Sequence, residues 1–140
     1  MTTQPSTSAG SKAPPRQDAP DPSVLLGEWL NAERDAAGGI LGINVSEQPD
    51  GTVVVRAFGT GDPEPRDWGA VEAVVYTKED ERSAAWAFRA AYDFGFLRTV
   101  LAAYHNSGVL VMTSYNVFSD DSGRADYWTR EFFHRIKEQP

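Results

Sequence analysis

Apolar and polar positions along this chain change over in short bursts, and clusters of turn-forming residues cut the bursts apart. Gly38-Gly39, Pro49-Asp50-Gly51, Gly59 to Pro65, Lys78 to Arg82, Asp93 to Gly95, Asn106 to Gly108 and Ser119 to Gly123 mark the interruptions. The pieces between them predict strands at Leu25–Asn31, Ile40–Ser46, Thr52–Phe58, Ala70–Thr77, Ala84–Tyr92, Phe96–Tyr104, Val109–Phe118 and Ala125–Phe133. None of the eight contains proline, which would remove a ladder donor. Thr52-Val53-Val54-Val55 and Tyr115-Asn116-Val117-Phe118 are rich in β-branched and aromatic residues. In Ala84–Tyr92, Trp86, Phe88 and Tyr92 share one parity and Ala85, Ala87 and Ala91 the other, an alternation of bulk that suits a barrel wall.

A helical alternative competes locally. Phe96, Leu97, Val100, Leu101 and Tyr104 have helical spacing, Ala84–Ala91 is alanine-rich, and Ser23 is placed to cap a helix over Val24–Ala37. The regular strand-and-turn rhythm favours consecutive antiparallel hairpins. Eight of them close into an up-and-down barrel without free edges. The expected fold is therefore all-β, a single eight-stranded antiparallel barrel.

Composition sets the limits of that domain. Residues 1–23 hold five of the nine prolines and no aromatic residue, so they read as a disordered tail rich in Pro, Ser and Thr. All sixteen aromatic residues lie between Trp29 and Phe133, so residues 24–136 carry the core, and 137–140 form a short C-terminal tail. A basic start followed by an apolar run is missing, and no run is long enough for a membrane helix, so a cytoplasmic location is expected.

Charge and residue types then remove whole classes of function. A net charge of −7 argues against a partner that is nucleic acid or an anionic membrane. The absence of cysteine excludes disulfides, a thiol nucleophile and thiolate-bound zinc. His105 and His134 lack metal-ligand spacing, and no phosphate loop or nucleophile elbow is present, so neither metal nor cofactor is expected.

Two local patterns add a resemblance. Gly27-Glu28-Trp29-Leu30-Asn31 resembles the G-x-W opening of lipocalins and the G-x-W-x-N opening of avidin-like barrels. Gly39-Ile40, Arg56-Ala57-Phe58-Gly59 and the run Pro63-Glu64-Pro65-Arg66-Asp67-Trp68-Gly69 are similar to small bacterial lipocalin-like (calycin-type) proteins. The resemblance implies that Trp29 closes one end of the barrel under a basic residue of the last strand, for which Arg130 is the candidate. The polar residues of biotin recognition have no counterpart here, so biotin is not expected.

The chemistry expected is that of a small-molecule cavity. Phe58, Phe88, Tyr92, Met112 and Trp128 are candidates for an apolar wall, and Arg56 and Asn116 for polar anchors of a carbonyl or carboxylate on an apolar or aromatic ligand. A cofactor-independent cyclase or isomerase is the alternative, with Arg130 or Tyr127 facing an oxyanion and Asp93 or His105 moving a proton. No residue pair demands turnover, and no catalytic residue is assigned. The third reading is a filled barrel that engages proteins through its outside, and a homodimer stays open as a partner.

Overall fold

The computed structural model describes residues 19–33, 39–61 and 63–136. The disordered-tail expectation for residues 1–18 and the C-terminal tail 137–140 lie outside the described residues. Eight strands follow one another around a closed antiparallel barrel: β1 (Gly27–Asn31), β2 (Ile40–Glu47), β3 (Val53–Gly59), β4 (Arg66–Lys78), β5 (Glu81–Asp93), β6 (Leu97–Asn106), β7 (Val109–Phe118) and β8 (Tyr127–Arg135). The helical alternative for Ala84–Ala91 and Phe96–Tyr104 is not realised. Both segments are strands whose small and large residues alternate across the wall. The one helical turn among the described residues is Ser23–Leu25, of 3-10 type.

Each strand pairs with its chain neighbours, and β8 returns to β1 through the pairs Trp29–Arg135, Leu30–His134 and Asn31–Phe133. The barrel interior is set by parity: Val53, Val55 and Ala57 on β3, Phe88, Ala90 and Tyr92 on β5, and Leu110, Met112, Ser114 and Asn116 on β7 are all buried. Register shifts in the β3–β4 and β4–β5 ladders locally offset this alternation.

One end of the barrel is shut. The 3-10 turn lies under it, with Leu25 fully buried. Asp21 anchors the turn by receiving a hydrogen bond from Ala85 N–H and donating one to the Ser83 carbonyl. The contacts of the barrel thus begin at Asp21, a few residues before Val24. Trp29 is 1% exposed, and its indole N–H donates to the Leu25 carbonyl at 3.0 Å. The guanidinium of Arg135 lies 4.5 Å from the Trp29 ring centroid and donates to the Val24 carbonyl. Arg135, and not Arg130, therefore covers the tryptophan. Arg130 has the opposite parity on β8 and points outward over Phe132. Gly27 has φ +126°, a conformation that side chains with a Cβ rarely adopt, and a Cβ there would meet Arg135 Nε at 3.3 Å. The G-x-W opening is thus a glycine required by the backbone and a tryptophan required by the plug.

Candidate functional site

The half of the barrel away from Trp29 is less completely filled. Its inward positions carry small polar side chains: Thr99 on β6, Ser114 and Asn116 on β7, and Thr129 and Glu131 on β8. With Ile40, Trp68 and Leu97 they line a partly enclosed cavity of about 100 Å³. Below it, Phe88, Leu101, Met112 and Phe133 are at most 2% exposed and fill the barrel down to Trp29.

Hydrogen bonds organise the cavity wall. Thr99 Oγ1–H donates to Asn116 Oδ1 at 2.7 Å, and Asn116 Nδ2 donates to Ser114 Oγ at 3.2 Å and to the Tyr127 carbonyl at 3.5 Å. Ser114 Oγ and Thr129 Oγ1 are 2.6 Å apart and share one proton donation. Two hydroxyls in such a pair supply two protons and use one between them, so one O–H remains to face the cavity. Asn31 Nδ2 donates to the Ile40 carbonyl at 2.8 Å and to Glu131 Oε2 at 2.9 Å, while Asn31 Oδ1 accepts from Glu33 N–H. Both Asn31 donors are thereby used, and the side chain ties β1 to both of its neighbours. Glu131 retains an acceptor, Oε1, without a hydrogen bond from the described residues.

The mouth above the cavity is aromatic. Trp68 meets Tyr92 edge-on at 5.4 Å and Phe94 edge-on at 5.2 Å, and Tyr92 stacks on Phe94. The Trp68 indole lies where a side chain at Gly59 would be: a Cβ there would come within 2.7 Å of Nε1. The Tyr92 hydroxyl is held by backbone, accepting from Ala57 N–H at 3.1 Å and donating to the Gly69 carbonyl at 2.7 Å. It fills the irregularity between β3 and β4. Burial pushes the phenol pKa up, with only partial relief from the Ala57 N–H.

The sequence-derived site residues divide between the two faces of the wall. Phe88, Tyr92, Met112 and Asn116 face inward, and only Asn116 borders the cavity. Arg56 faces outward between the inward Val55 and Ala57 and forms a two-pronged pair with Asp67, with Nε at 3.0 Å from Oδ1. That guanidinium, followed by Gly69 N–H, holds the Asp67 carboxyl below the usual carboxylate range. The expectation of Arg56 as an interior anchor is corrected: its charge is solvated and paired on the outside. Phe58 also faces out, half-buried. Trp128 is 62% exposed and does not line the interior, because the buried Phe133 fixes the other parity of β8 as inward.

The groups considered for acid–base chemistry are scattered. Asp93 is exposed, accepts from Gly95 N–H and lies 3.6 Å from Arg98. Tyr127 is exposed at the mouth, and its carbonyl alone enters the network. His105 lies at the shut end between Trp29 and Trp86, with Nδ1 buried and unpartnered. Its burial, reinforced by Arg135 and Lys78, pushes its pKa down. Among the described residues no group of three or more His, Asp or Glu is placed to hold a metal ion, and no helix is long and apolar enough to cross a membrane.

A larger hollow of about 440 Å³ lies outside β1–β3, between Leu30, Leu41, Phe58, Pro65 and Ile136. It is open and mostly apolar, with Glu28 and Asn44 the polar side chains at its lining and, among the described residues, no hydrogen-bonded set of them joined across it. The partly enclosed cavity has hydrogen-bonded polar groups, in Glu131 and the Ser114–Thr129 pair. The architecture is consistent with a calycin-like barrel. Comparison of the chain with protein families, with curated proteins and with solved structures gave no match.

Proposed function

We propose that this protein is a lipocalin-like small-molecule binder whose site is the polar cavity in the mouth half of the barrel. The observation that supports the proposal is a pair of groups with spare hydrogen-bonding capacity on residues that line one partly enclosed cavity, Glu131 Oε1 and one hydroxyl of Ser114 and Thr129. Glu131 Oε1 accepts and is anionic, and the spare hydroxyl can donate its O–H as well as accept. Among the described residues no guanidinium lines the cavity. These groups favour a ligand that brings donors, a small amine or hydroxylated molecule with a short apolar body against Ile40, Leu97 and Trp68. A carboxylate ligand would meet the Glu131 charge with no cation among the described lining residues to offset it.

The size of the cavity points the same way. Bulk water occupies about 30 Å³ per molecule, so the space matches roughly three waters and not a drug-sized aromatic ligand. The test is thermal stabilisation and NMR titration with small alkylamines, polyols and matched carboxylates. Amines or polyols are expected to bind, and Glu131→Gln should weaken amine binding about tenfold or more. Equal binding of the carboxylates, or amine binding indifferent to Glu131→Gln, would refute the assignment.

A further inference from the structure

The outside of β4–β8 has a composition unlike that of a solvated wall. One row across the sheet reads Tyr76, Ala87, Tyr104, Val111 and Phe132 by register. The next reads Val74, Arg89, Ala102, Thr113 and Arg130, and a third Ala91, Val100, Tyr115 and Trp128. Aspartate, glutamate and lysine are missing from all three rows, in a chain with 20 acidic residues. Aromatic residues and arginine with few carboxylates is the composition of an interface core.

The relief of this face is as informative as its composition. Ala87 and Ala102 form the floor of a trough of about 370 Å³ walled by Tyr76, Tyr104 and Tyr115. Beside it Trp128 and Phe132 stand out from β8 as a ridge, 62% and 47% exposed. We infer that this face is the interface of a homodimer, in which a two-fold axis sets the Trp128–Phe132 ridge of each copy into the alanine-floored trough of the other. Ridge and trough on one face are what an isologous contact requires.

Three further observations select a second copy as the occupant. The first is area. Five aromatic side chains, each about half exposed and each offering roughly 200 Å² in full, supply on the order of 500 Å². The intervening Val74, Val100 and Thr113 bring this toward the ~800 Å² per partner of a standard interface. The second is charge: two chains of −7 repel, and the part of this face from β5 to β8, where the three rows carry no carboxylate and Glu72 of β4 stands at the margin, is where they approach at least cost. Arg89 donates to the Tyr76 hydroxyl at 3.1 Å and Arg130 Cζ lies 5.8 Å from the Phe132 ring centroid, so both cations are held beside aromatic groups. The third is closure. Every strand has two neighbours, so no edge is free for strand addition, and association must be face to face.

Sedimentation velocity on the full chain, from about 1 to about 100 µM, tests the inference. A monomer–dimer equilibrium is expected, and Ala102→Glu and Trp128→Ser should each raise its dissociation constant about thirtyfold or more. Asn44→Ser, on the outer face of β2 across the barrel, should leave it unchanged. Both interface positions face outward, and far-UV circular dichroism of each variant checks that the barrel is intact. Hydroxyl-radical footprinting of the unmodified chain gives a readout independent of folding defects: Tyr115 and Trp128 should become protected as concentration rises. A chain that stays monomeric with both residues reactive throughout would overturn the inference and leave the face to an unrelated protein. So would a dimer that tolerates both substitutions, or an open-ended assembly.

Discussion

Removing one oxygen atom, by Tyr92→Phe, tests how the irregular β3–β4 ladder is held. The Tyr92 ring is 5% exposed and packs on Trp68 and Phe94, and phenylalanine preserves those contacts. What disappears is one acceptor for Ala57 N–H and one donor to the Gly69 carbonyl. The Ala57 N–H contact is buried and the Gly69 carbonyl contact part-buried, and a buried polar group stripped of its partner costs about 1–3 kcal/mol. Two such groups, partly relieved by backbone adjustment, place the loss at about 2–4 kcal/mol. Urea unfolding followed by tryptophan fluorescence and far-UV circular dichroism measures it, with an unchanged m-value expected. The variant should also change the alkaline limb. Burial raises the folded-state phenol pKa above its ordinary value of 10.0, so above pH 10 the unfolded chain releases this proton first. That component of stability is complete below pH 10 and falls as pH rises through the raised pKa. Tyr92→Phe should flatten the decline. A loss below about 0.5 kcal/mol, with an unaltered alkaline limb, would show that the hydroxyl does not hold the bulge.

Other perturbations probe the two ends of the barrel. Arg135→Ala removes the cation over Trp29 and a hydrogen bond to the Val24 carbonyl, and should cost about 1–2 kcal/mol in chemical denaturation. Arg130→Ala should stay within about 0.5 kcal/mol, and the reverse order would return the closing role to Arg130. His105 has a pKa pushed below its ordinary 6.5, so its contribution is complete above pH 6.5 and is lost as pH falls through the lowered value. Melting temperatures between pH 5 and 7 should show this slope, and it should vanish in His105→Gln but persist in His134→Gln. Gly59→Ala places a Cβ within 2.7 Å of Trp68 Nε1 and should displace the indole, seen as a change in the near-ultraviolet circular dichroism spectrum. An unchanged spectrum would mean that Gly59 does not set the position of Trp68.

Strand number and order were legible because turn residues punctuate this chain so regularly. Facing was legible only where a strand carried its own contrast. On β5 the large residues Phe88 and Tyr92 share one parity, and they do point inward. On β8 both parities mix aromatic and charged residues, Trp128, Arg130 and Phe132 against Thr129, Glu131 and Phe133. Nothing within the strand tells them apart. Ending the expected strand at Phe133 also excluded Arg135, the residue in register with Trp29. Arg56 misled for another reason. Three valines before it suggested a buried strand, and its partner Asp67 lies beyond a proline-rich turn whose path the sequence does not specify. Glu131 has no marker of its own in the sequence, since a carboxylate between Arg130 and Phe132 shows no contrast that sets it inward. The available signal was Asn31 in the opening motif, a polar residue on the tryptophan side of β1 that needs a partner inside.

The β1–β8 seam has a consequence for synthesis. It joins residues about a hundred positions apart, through three registered pairs and the Asn31–Glu131 hydrogen bond. A nascent chain emerging from the ribosome can complete every hairpin from β1 to β7 and still display two raw edges. Those edges, one on β1 and one on β7, are templates for pairing with other chains until the last strand arrives. The sheet becomes self-contained in a single late step, when β8 slots between them. Damage to the final strand is therefore an aggregation lesion before it is a binding lesion.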